Sequence, residues 1–158
     1  MIDSKFIARY GLTETPMSIR VYSEINLHIT WHTKGGRKMI DTAMQRNLYA
    51  FLKNRVIETR GAYFHAIGGI EDHVHLACSV KPSIHPDEWI GQLKGASSYE
   101  IGKSLQWQSG YGIVSYGTRD LPWVRNYVLN QREHHAKGSV FARLEKVEDA
   151  EDSAAWDG

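Results

Sequence analysis

Four side chains in this 158-residue sequence have the types and spacing for metal-assisted nucleophilic chemistry. His73 and His75 lie one residue apart in the segment from Asp72 to Lys81. On an extended strand the two-residue period sends them to one face with Ala77 and Ser79, while Val74, Leu76, Cys78 and Val80 take the other. Two neutral imidazoles side by side suit one divalent ion if other groups complete its coordination. The pair alone is not specific, because eight histidines in 158 residues give roughly 0.4 such pairs by chance. Tyr127 and Gln131 stand four residues apart, so on a helix they share a face, with Arg125 and Arg132 close by. A phenol is a weak nucleophile at neutral pH that positive charge activates, and a carboxamide oxygen can complete a metal site begun by two imidazoles. Taken separately, the same residues read as strand histidines and as a packed tyrosine beside a solvated glutamine.

The elements that must position them follow from the hydrophobic pattern. Ile19, Val21, Ile25, Leu27, Ile29 and Trp31 alternate with Tyr22, Glu24, Asn26, His28 and Thr30, which predicts a half-buried strand. A basic turn from His32 to Lys38 holds Gly35 and Gly36. Then Ile40, Met44, Leu48, Phe51, Leu52 and Val56 recur at helical spacing until Gly61. Tyr63 to Ile67 and Val74 to Val80 read as two antiparallel strands joined by a turn over residues 68–72, where Gly68 and Gly69 are free in φ and Asp72 can cap. Pro86, Asp87 and Glu88 open a helix running through Trp89, Leu93 and Ala96 towards Ile101. Gly112 to Tyr116 gives another strand. A last helix starts near Leu121 and Pro122, turns Val124, Val128 and Leu129 inward, and fades beyond His135. This order predicts an α+β, ferredoxin-like (RRM-like) antiparallel sheet with helices on one face, plus a C-terminal helix carrying the tyrosine.

The length fits one domain, placed at residues 19–140 between a flexible segment, 1–18, and an acidic, mobile tail, 141–158. The tail holds two of 19 basic and six of 18 acidic side chains, so the overall charge of +1 hides a body of 17 − 12 = +5. That modest excess suits a local nucleic-acid groove rather than a non-specific coat. The lone Cys78 sits in an apolar run, and the first residues lack the basic-then-apolar order of a secretion signal. No run approaches the roughly 20 apolar residues of a membrane span. A reducing, cytoplasmic setting without membrane association is therefore the expectation.

Five blocks, in order, resemble the small single-tyrosine HUH transposases of bacterial insertion sequences and their REP-associated relatives. They are HITWHTKGGRK, EDHVHLACSV, QLKGASSYEI, WQSGYGIVSYG and VRNYVLNQREHH, within a resemblance spanning Tyr22 to Val140. The resemblance implies that His73 and His75 are the metal pair, Tyr127 the nucleophile and Gln131 the third ligand. It also implies Mg²⁺ or Mn²⁺ as the ion, although the ligands alone would accept Zn²⁺. Lys94, Ser97 and Ser98 fall in a segment such enzymes place near DNA. Lys34, Arg37 and Lys38 in the basic turn, with Arg125 and Arg132, complete the candidate DNA contacts. His134 and His135 stay outside the expected site, and His28 and His65 have no claim beyond residue type.

The implied reaction is transesterification at the ends of an insertion sequence. Tyr127 attacks single-stranded DNA to give a 5′-phosphotyrosine and a free 3′-hydroxyl, with no nucleotide cofactor. The implied partners are single-stranded DNA with a hairpin at each end and a second copy of the chain. In such a homodimer the tyrosine helix of one subunit can serve the histidines of the other, hinged between Gly117 and Pro122. The alternatives are a monomeric, domesticated REP-associated enzyme and a non-catalytic DNA-binding repressor on the same fold. A replication or conjugation nickase is disfavoured by the shortness of the chain.

Overall fold

A computed structural model describes residues 21–148. The expected N-terminal segment, the start of the first strand at Ile19 and the tail beyond residue 148 lie outside the described residues. Strand β1 (Asn26–His32) is shorter than the alternation implied, and residues 21–25 precede it without strand structure. It starts where both neighbours are present, Asn26 standing opposite Ser79 on one side and Tyr116 on the other. Helix α1 (Thr42–Glu58) is capped by Asp41, whose carboxylate accepts from the Met44 N–H at 2.8 Å, and it buries Leu48, Leu52 and Val56.

Strands β2 (Ala62–Ile70) and β3 (His73–Val80) form a hairpin whose connection is only Glu71 and Asp72. The five-residue turn expected from sequence shrinks because Gly68 and Gly69 stay in the ladder, opposite His75 and Val74. Gly68 is there for another reason. A Cβ on it would lie 1.9 Å from the Val128 carbonyl oxygen, so a helix can rest on the sheet only at a residue without a side chain. Helix α2 (Pro86–Ile101) matches its expected ends, with Pro86 in the first turn and Gly102 closing it at φ 99°. Strand β4 (Gly112–Tyr116) completes a four-stranded, wholly antiparallel sheet of order β2-β3-β1-β4.

The two faces of this sheet differ in chemistry. Leu27, Ile29, Trp31, Val74, Leu76 and Cys78 pack with α1 and α2 into the main core. Burial pushes the Cys78 thiol up to about 12, so it behaves as an inert apolar group. The opposite face carries His28, Thr30, His73, His75 and Ala77, and three C-terminal helices cover it: α3 (Leu121–Leu129), α4 (Gln131–Lys137) and α5 (Ala142–Glu145). Val124 and Val128 of α3 dock on Ala66 and Ala77. The single last helix of the sequence reading is broken at Asn130, whose side chain donates to the Asn126 carbonyl at 2.8 Å.

The start of the acidic tail also differs from expectation. Leu144 is buried, Arg143 donates to the Ser115 carbonyl at 3.3 Å, and Tyr111 forms a β-bridge with Glu148. Gly112 lets this segment pass, since a Cβ there would lie 1.8 Å from the Lys146 carbonyl oxygen. An apolar side chain among acidic ones, next to an open sheet edge, is enough to bring residues 141–148 back onto the body. No helix among the described residues is long and apolar enough to cross a membrane.

Candidate functional site

The register of β1 against β3 builds the floor of the site. His32 stands opposite His73, Thr30 opposite His75 and His28 opposite Ala77, so the imidazoles of both strands gather on one face. His73 is 3 % exposed and His75 fully buried. Each has its Nδ1 engaged: His73 Nδ1 lies 2.6 Å from Asp72 Oδ1, and His75 Nδ1 lies 2.7 Å from His28 Nε2. Both Nε2 atoms are thereby left to face a common space. Burial lowers the pKa of His75 to about 4 against the opposing pull of Glu145, and burial followed by the charge of His75 lowers that of His28 to about 3. Both rings are neutral near pH 7, the form that ligates metals.

The helices supply the roof. Gln131 Nε2 donates to the Tyr127 carbonyl at 3.0 Å, which turns Oε1 inward, 3.4 Å from His73 Nε2 and 3.2 Å from His135 Nε2. Glu145, from the segment read as a solvated tail, sets its Oε2 3.3 Å from His75 Nε2 and 3.7 Å from the Nε2 atoms of His73 and His135. One ligand atom from each of His73, His75, His135 and Glu145 lies within 4.8 Å of the others. Atoms coordinated about 2.1 Å from one ion sit roughly 3 to 4.2 Å apart across cis and trans positions, so this cluster is close to a coordination shell. His75 Nε2 is buried and makes no hydrogen bond despite the nearby carboxylate, as a lone pair aimed at a shared centre would be. The residues present fit a divalent cation.

Tyr127 adjoins the same centre and is only 3 % exposed. Its hydroxyl donates to Glu145 Oε1 and accepts from the Phe141 N–H at 2.9 Å. Its ring stacks with Trp123 and with His134, with centroids at 5.5 and 4.7 Å, and meets His75 edge-on at 6.1 Å. Burial, reinforced by the bond to Glu145, raises the phenol to about 12. Burial also acts to raise Glu145, but the imidazole of His75 beside it, the Tyr127 hydroxyl and the nearby His73 outweigh it and hold the carboxyl at about 2. An open cleft lined by Trp123, Asn126, Asn130 and Lys137 borders the phenol.

His73, His75, Tyr127 and Gln131 therefore come together, all from one chain. The candidate DNA contacts divide. Lys34, Arg37 and Lys38 are exposed in the turn after β1, at the same end of the sheet as His73. Lys94 instead donates to the carbonyls of Gln108 and Gly110 at 2.6 and 2.9 Å, and Ser97 is buried, accepting from Trp107 Nε1 at 2.9 Å. These two hold the loop before β4 in place. Ser98 donates to the Gly95 carbonyl, Arg125 to the His65 carbonyl at 3.3 Å, and Arg132 to Glu71 and Gln45 at 2.8 and 3.2 Å.

The sequence reading missed two members of the cluster. His135 continues the four-residue spacing of Tyr127 and Gln131, a signal that was present. Glu145 had none, since nothing local separates it from its acidic neighbours.

Fold and site together define a class: a ferredoxin-like sheet whose polar face joins a histidine pair to a helix-borne tyrosine. The family model described as Transposase IS200 like matches residues 21–131, and the chain belongs to that family of transposases. No curated protein sequence matches it. Among solved structures, a Deinococcus radiodurans R1 protein assigned as a transposase shares the fold with a TM-score of 0.57 at 19 % identity, over 70 % of this chain and 93 % of that one. A REP-associated tyrosine transposase bound to a REP hairpin does so with a TM-score of 0.56 at 14 % identity, over 86 % and 84 %. His135 and Glu145 lie beyond the residues that the family model matches.

Proposed function

We propose that this transposase cuts and rejoins single-stranded DNA at the ends of its element by transesterification, with Tyr127 as nucleophile. One observation carries the reading. The Glu145 carboxylate spans the Tyr127 hydroxyl and the histidine Nε2 atoms, so the site holds an anion in the place a scissile phosphate needs, one oxygen against the nucleophile and another against the metal ligands. A phosphodiester displacing Glu145 meets the same groups.

Tyr127 Oη forms a bond to phosphorus as the bond to the 3′-oxygen breaks, leaving a 5′-phosphotyrosine and a 3′-hydroxyl. The phenolic proton leaves and the 3′-oxygen takes one up, so the step needs neither hydrolysis nor ATP. Trp123 and His134 both stack on the phenol ring, which restrains its orientation. A divalent cation held by His73, His75 and Gln131 would polarise the phosphate and favour the phenolate. With His135 added the donor set is rich in imidazole, which favours Mn²⁺ over Mg²⁺. The REP-hairpin complex of the structural neighbour supports a hairpin as the DNA feature recognised, and Lys34, Arg37 and Lys38 are the exposed cations that best suit a phosphate backbone beside the site.

The test is incubation with single-stranded oligonucleotides carrying the element ends and Mn²⁺, read as a covalent protein–DNA band on a denaturing gel. The wild-type chain gives the band and Tyr127→Phe does not. An adduct formed by Tyr127→Phe would remove Tyr127 from its role.

A further inference from the structure

The contact between His28 and His75 joins two buried rings, 2.7 Å apart from Nε2 to Nδ1, and no ligand role falls to His28. A single hydrogen occupies that line, and its owner decides what His75 can do. If His28 Nε2 carries it, the neutral His75 ring has its own hydrogen on Nε2 and cannot offer a lone pair to the site. If His75 Nδ1 carries it, Nε2 is a free donor. His73 meets the same requirement in a different way, because Asp72 Oδ1 has no hydrogen to give and accepts the Nδ1–H outright.

We propose that His28 is a positioning residue for the metal centre: its Nε2 accepts the Nδ1–H of His75 and so fixes the tautomer and ring angle that present His75 Nε2 to a divalent cation. The proposal rests on the reading of His73 and His75 as metal ligands. Three observations support it. The two ring planes are inclined by 45° with centroids 4.9 Å apart, so the contact is an in-plane hydrogen bond rather than a stack. His28 sits on β1 between β3 and β4, and its ring is buried, so the surrounding packing holds it in place. The bond to His75 is the hydrogen bond that the His28 ring makes among the described residues, and it runs between two side chains that are both buried.

Binding of Mn²⁺ to the intact chain tests this, followed by calorimetry and by the electron paramagnetic resonance of the free ion. His28→Phe keeps the ring volume and removes the acceptor, and Mn²⁺ affinity is expected to fall about 10- to 100-fold, the usual effect of losing an outer-shell partner. His28→Gln returns an acceptor oxygen near the position of Nε2 and is expected to stay within a few-fold of wild type. Equal Mn²⁺ affinity in wild type and a folded His28→Phe would overturn the proposal, as would an equal loss in both variants. If His28→Phe does not fold, nitrogen-15 spectra of the wild-type imidazoles loaded with diamagnetic Zn²⁺ decide. His75 must show its hydrogen on Nδ1 and His28 its hydrogen on Nδ1 as well, and the reverse assignment for the shared bond refutes the role. A wild-type chain that binds no divalent ion at all would instead sink the metal site itself, which keeps the two failures apart.

Discussion

At the residue scale, the candidate site is organised around one carboxylate. Glu145 accepts the Tyr127 hydroxyl, adding to burial in raising the phenol, and at the same time fills the space between the histidines. Removing it should lower the phenol from about 12 towards its ordinary value, observable by carbon-13 resonances of labelled tyrosine during an alkaline titration of Glu145→Gln. It should also clear the place of the scissile phosphate. At saturating Mn²⁺, Glu145→Ala is expected to form the covalent DNA adduct roughly tenfold faster than wild type, about 1.4 kcal/mol in the barrier. A slower adduct at saturating metal would show that Glu145 serves the reaction instead of competing with substrate. His73→Ala combined with His75→Ala should abolish both Mn²⁺ binding and the adduct. Cleavage by that variant in the presence of chelator would end the metal assignment.

At the scale of elements, two glycines decide how the polar face is covered. Gly68 lets α3 rest on β2 and thereby sets the height of Tyr127 above the histidines. Gly68→Ala forces the Val128 carbonyl away and should destabilise the fold by about 1–3 kcal/mol, read as a lower denaturant midpoint. Gly112→Ala strikes the Lys146 carbonyl instead, in a segment attached mainly by Leu144, Arg143 and the bridge to Glu148. The sheet should survive while α5 detaches, so this variant is expected to mimic Glu145→Ala in adduct rate although it lies far from that residue in sequence. An unchanged rate in a folded Gly112→Ala protein would separate the position of the segment from the occupancy of the site.

For the whole molecule, the question is which chain supplies which half of the site. Tyr127 and Gln131 meet the histidines of their own chain here, and Tyr127 is further tied to its own Phe141 and Glu145. We therefore expect that mixing Tyr127→Phe with the His73→Ala, His75→Ala variant will not restore the adduct. Restoration would mean that the helix after Gly117 crosses to a second subunit during the reaction, as the resemblance of the sequence to dimeric relatives implied.

How much of this was legible beforehand follows from the range of the interactions concerned. The apolar pattern, with the start signal at Pro86, located β3, α1 and α2, because each buries one face against the same core and the pattern of apolar side chains records that face. Spacings of two on a strand and four on a helix fixed which way His73, His75, Tyr127 and Gln131 point before any packing is known, but only the resemblance grouped the four as one candidate site. His135 extended that spacing and was within reach. Sequence could not reveal the partner of each imidazole. His28 meets His75 only through the register of β1 on β3, and register is set by pairing across 47 positions of chain. Nor could it reveal Glu145, one acid among six in the last 18 residues, singled out by Leu144 burying beside the open sheet edge. The sequence by itself determined the elements that carry His73, His75, Tyr127 and Gln131 and which way these side chains point. Only the tertiary structure decided what stands against them, because a contact between distant segments leaves no trace in the local order of residues.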